Sequence, residues 1–80
     1  MLLHVTVTHE DIKKGKKNEP EHCPIARALD RLYPGNDVSV NEDTVEIDDL
    51  TFTLPERAET FVSKFDAGEK VKPLKFVIDY

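Results

Sequence analysis

Leu3, Val5 and Val7 alternate with His4, Thr6 and Thr8, the period-two pattern of a strand with one buried face. Thr8 then stands three residues before Asp11, a spacing that caps a helix start. Ile12 is the only apolar anchor before Gly15, so a single short helical turn is expected there. Residues 15–22 carry no apolar anchor and read as an exposed, mobile loop.

The clearest helix follows. Pro24 suits the first helical position, where no N–H is needed. Ile25, Ala28, Leu29 and Leu32 then form one apolar stripe that Tyr33 widens, with Arg27, Asp30 and Arg31 on the other side. Pro34-Gly35 stops it. A helix of about ten residues does not hold itself together in water and must lean on a sheet.

Residues 38–54 read as β structure. Val38 and Val40 precede a polar turn at Asn41-Glu42-Asp43, Val45 and Ile47 follow, and Leu50, Phe52 and Leu54 come last. The phase changes across Asp48-Asp49, which requires a tight turn or a bulge. A meander of two or three short antiparallel strands is therefore expected. Pro55 opens a second helix with Ala58, Phe61, Val62 and Phe65 inside. Glu56 and Glu59 sit near its positive end, Lys64 near its negative end, and Gly68 supplies the left-handed stop. Leu74, Phe76, Ile78 and Tyr80 alternate as a closing strand.

These elements predict one α+β domain over residues 1–80, with a small mixed or mainly antiparallel sheet and two short helices on one face. Without the extra turn and strand the order is β-α-β-β-α-β, the ferredoxin-like string, and a related α+β arrangement stays open beside it. The composition, 39% hydrophobic and 34% charged, suits a folded domain rather than a disordered chain. Apolar runs are far shorter than the roughly 20 residues that cross a bilayer. With no apolar leader and a lone Cys23, a cytoplasmic, reducing setting without a membrane partner is expected.

The net charge of −5 is unevenly spread. Residues 37–59 hold eight acids against Arg57 alone, a net of −7, while the flanks are each +1. Glu42, Asp43, Glu46, Asp48 and Asp49 thus become a candidate surface for a basic protein partner or for self-association. Tyr33 and Tyr80 are candidate interface anchors. Lys13, Lys14, Lys16 and Lys17 form a second candidate, a loop that contacts phosphates. The acidic middle opposes nucleic-acid binding, so this reading ranks below the first.

Cys23 is a third candidate. At a helix cap beside His22, a thiolate gains from the helix field, which makes a reactive thiol an alternative, but packing as a small apolar residue where the loop enters the helix is the preferred reading. No cofactor or metal is expected. His4, His9, His22 and Cys23 lack the spaced pairs of a zinc site. No phosphate loop, nucleophile elbow or paired-carboxylate pattern indicates an enzyme.

Asp11-Ile12…Gly15, Cys23-Pro24-Ile25-Ala26-x-Ala28-Leu29, Leu54-Pro55…Phe61-Val62 and Phe65-Asp66-x-Gly68…Val71-x-Pro73-Leu74-x-Phe76 together span most of the chain. In these motifs it resembles small uncharacterised proteins of bacterial viruses, prophages and some bacteria. The resemblance implies a small accessory protein acting on a host or viral macromolecule, and it carries over no catalytic residue.

Overall fold

A computed structural model describes residues 2–79. Tyr80 lies outside the described residues. The chain runs β1 (Leu2–Val7), α1 (His9–Lys14), α2 (Pro24–Leu32), β2 (Val38–Val40), β3 (Thr44–Ile47), β4 (Leu50–Thr53), α3 (Glu56–Asp66) and β5 (Leu74–Asp79). The α+β class is as the alternations predict.

The expected single sheet is divided in two. β1 pairs antiparallel with β5, setting Val5 opposite Phe76 and Leu3 opposite Ile78. The meander forms its own antiparallel sheet in the order β2-β3-β4. Helix α2 touches both β1 and β2, so one helix face bridges the two sheets. That face is broad, with Ile25, Ala26, Ala28 and Leu29 all buried. Val5 and Val7, Val38, Val40 and Val45, and Phe76 and Ile78 join it in one continuous core. This pairing leaves no ferredoxin-like sheet.

Helix α3 packs along β5 through Ala58, Phe61, Val62 and Phe65, and its two phenyl rings stack nearly parallel with centroids 6.3 Å apart. Two leucines expected inside are not. Leu32 ends α2 where Tyr33 leaves the helical conformation, and it is 46% exposed. Leu50 opens β4 beside the tight turn and is 62% exposed. Tyr33 is half-buried.

The capping box forms as the spacing predicts. Asp11 N–H donates to Thr8 Oγ1 and Thr8 N–H donates to Asp11 Oδ2. The Asp11 side chain does more than cap, because it is completely buried. Arg31 of α2 grips it with both guanidinium nitrogens at 2.7 and 2.9 Å and also donates to the Thr6 carbonyl of β1. Arg27 Nε lies 3.7 Å from the same carboxylate. Burial pushes the Asp11 carboxyl up, and the Arg31 pair with the Thr8 hydrogen bonds outweighs it, leaving the group below its ordinary value. Gly15 ends α1 with an extended backbone, and a Cβ there would stand 2.7 Å from both the Asp11 carbonyl and the Pro24 ring. Gly68 takes the left-handed conformation at φ 83° after α3.

Candidate functional site

The loop over residues 15–22, expected to be mobile, is tied down on both sides. Lys16 N–H donates to the His22 carbonyl and His22 N–H to the Glu19 carbonyl, closing the loop on itself. Asn18, at φ 58°, donates its N–H to Asp66 Oδ1 of α3, while the Pro20 carbonyl accepts from Val40 N–H of β2. A segment without apolar anchors is held here by its backbone groups, which need partners wherever water is excluded.

Opposite it, the β2–β3 turn is closed by Asn41 N–H on the Thr44 carbonyl and by Leu54 N–H on the Asp43 carbonyl. Loop, turn and α3 then enclose a groove of about 410 Å³ whose walls present Glu19, Glu42, Asp43 and Asp66 and whose floor is Cys23, Val40 and Val62. It continues into a wider volume of about 850 Å³ along α3, past Glu59 and Glu69. Lys64 is the single cation among the residues lining the two volumes.

Of the acids singled out from the sequence, Glu42 and Asp43 line this groove and the others do not. Glu46 is exposed on β3, across from Ser39 and Thr51. Asp48 holds the tight turn at φ 54°, donating its N–H to the Asp37 carbonyl and accepting Asp37 N–H on Oδ1. Asp49 is exposed at that same far end of the hairpin. The acidic stretch is thus split between the two ends of the meander. Glu19, Glu59, Asp66 and Glu69 complete the groove, and nothing local in the sequence places them beside Glu42.

The four lysines are exposed. Lys14 Nζ pairs with Glu10 Oε1 at 2.9 Å on the same helix. Lys17 reaches over the end of α3, its Nζ 3.2 Å from where a Gly68 Cβ would stand. That is the end where a helix attracts cations. None of the four lines the acidic groove.

Cys23 caps α2, and its Sγ accepts Ala26 N–H at 3.4 Å. Burial pushes the thiol up and outweighs the pull of the helix N–H groups; the Asp66 charge adds to the rise. The direction is opposite to the lowering that a helix cap alone suggests, because Cys23 is only 5% exposed. His22 beside it is exposed. Among the described residues no three His, Cys, Asp or Glu side chains gather as a metal site.

The chain matches no family model, curated protein or solved structure. The groove's carboxylates line solvent-accessible space beside the apolar Cys23, Val40 and Val62, an arrangement chemically complementary to an aliphatic stem with a cationic head. No helix among the described residues is long and apolar enough to cross a membrane.

Proposed function

We propose that this chain is a small non-enzymatic protein-binding module whose acidic groove receives a basic segment of a partner protein. The observation that carries the reading is the convergence of carboxylates from three separate segments, the 18–20 loop, the β2–β3 turn and α3, on one groove with a single lysine. Like charges placed together oppose folding, so their gathering at one groove is favourable only towards a cation. The motif likeness to small viral and prophage proteins supports an accessory role, in which the groove masks a basic surface of a host or viral macromolecule.

The test is fluorescence anisotropy with a labelled lysine- and arginine-rich peptide. Binding is expected to weaken steeply with added salt. The triple variant Glu42→Gln/Asp43→Asn/Glu59→Gln is expected to lose about tenfold in affinity, equivalent to about 1.4 kcal/mol. Asp66 is left intact because its carboxylate holds Asn18. Equal affinity of the variant and the parent chain would overturn the assignment of this groove.

A further inference from the structure

Residues 16–22 are all exposed and none of them enters the apolar core, so this stretch has no hydrophobic attachment of its own. Its ends are nevertheless firmly joined. Lys16 N–H donates to the His22 carbonyl at 2.8 Å, and Gly15 lies so close to Pro24 that a Cβ would stand 2.7 Å from the ring. The stretch is a closed surface loop with a pinched, packed neck and a tip that reaches across to two other elements.

The tip is attached through backbone groups. Asn18 N–H donates to Asp66 Oδ1 at the end of α3, and the Pro20 carbonyl accepts Val40 N–H of β2, both at 2.9 Å. Lys17 adds a cation over the negative end of α3. Neither hydrogen bond belongs to a helix or to a sheet ladder. Val40 N–H points away from β3, since the adjacent Asn41 N–H is the one that meets the Thr44 carbonyl. Breaking both bonds therefore leaves α3 and the meander whole. The freed groups find water in exchange, the tip regains conformational freedom, and Asn18 is released from its left-handed φ of 58°.

We infer that residues 16–22 form a hinged lid: the tip lifts off α3 and β2 as one unit about the Gly15–Pro24 neck, while the helices and both sheets stay folded. The tip residues Asn18, Glu19 and Pro20 wall the groove in front of Cys23, Val40 and Val62. Lifting them opens that side of the groove and uncovers the Cys23 thiol, which is 5% exposed when the lid is shut. The lid is a property of the wall and holds whatever the groove receives, so it stands apart from the proposed function.

Native-state hydrogen exchange of the full chain tests the inference. Asn18 and Val40 amides are expected to exchange through one shared opening that urea barely accelerates, because little surface is exposed in it. Asn41 N–H, held within the meander, and Arg27 N–H, held on the Cys23 carbonyl within α2, are expected to stay protected meanwhile. Alkylation of Cys23 gives a second readout. Asp66→Asn and Asp66→Ala both remove the charge that raises the thiol, but only alanine removes the acceptor of the Asn18 bond. Cys23 is expected to label about fivefold faster in Asp66→Ala than in Asp66→Asn, with unchanged exchange at Asn41 and Arg27. Should either variant fold poorly, exchange in the parent chain decides alone. Equal labelling of two folded variants, or Asn18 and Val40 amides that exchange separately or only with global unfolding, would overturn the inference.

Discussion

Asp11 is the one fully buried charged side chain among the described residues, and its oxygens serve its own helix start and a guanidinium on the next helix. The capping role is legible in the Thr8-to-Asp11 spacing. The ion pair is not, because Arg31 lies twenty residues away and reads as a surface arginine. Asp11→Ala is expected to lower stability by about 2–4 kcal/mol, the loss of a cap together with charge-assisted hydrogen bonds. Asp11→Asn isolates the charge. Because the folded carboxyl titrates below its ordinary value, its contribution is complete above the unfolded value of about 3.9 and is lost as pH falls through the folded one. Urea titrations should therefore show a constant gap between the parent chain and Asp11→Asn above about pH 5, closing in stronger acid. Asp48 teaches a similar lesson, since its identity as a turn acid is plain but its grip on Asp37 depends on where β2 begins.

At the scale of elements, the local patterns succeed where a periodicity and a terminator agree. Helix α2 starts at Pro24 and stops before Pro34-Gly35, and α3 ends with Gly68 at positive φ. The stripe of α2 needs one revision at its end, which separates two leucines that look alike in sequence. Leu29 is fully buried, while Leu32 is 46% exposed. Leu29→Ala is expected to cost about 2–5 kcal/mol, the usual range for a core leucine, and Leu32→Ala less than about 1 kcal/mol. Paired thermal melts read the difference, and comparable losses would mean that Leu32 is covered by something beyond the single chain. The 15–22 loop marks the reverse case. Its lack of apolar residues suggests mobility, yet hydrogen bonds to α3 and β2 fix it as one wall of the groove.

Over the whole molecule, the arrangement trades stability for charge placement. Glu42, Asp43, Glu59, Asp66 and Glu69 line one groove, and like charges brought to one place in a folded chain repel more than in the unfolded one. Added salt is accordingly expected to raise the melting temperature of the parent chain. The triple variant Glu42→Gln/Asp43→Asn/Glu59→Gln should match or exceed the parent's stability at low salt, with the advantage shrinking as salt screens the charges. Calorimetry at two ionic strengths checks this. A variant less stable than the parent would show that these carboxylates support the fold rather than await a cation. The same scale explains the bridging role of α2. With only two strands in one sheet and three in the other, neither sheet buries enough surface alone, and a shared helix makes one core of both.

Alternation, capping and helix-stopping residues act over two to four positions, so the strand and helix segments, the 41–43 turn and the α+β class are legible locally, while Asp48-Asp49 reads equally as a tight turn or a bulge. The pairing of β1 with β5, the separation of the meander as its own sheet and the approach of the α3 acids to the turn holding Glu42 and Asp43 emerge from packing between distant segments. Those outcomes depend on competition among distant apolar faces for the same partners. No local spacing records which face wins, because the energies that decide it are summed over contacts between segments far apart in the chain.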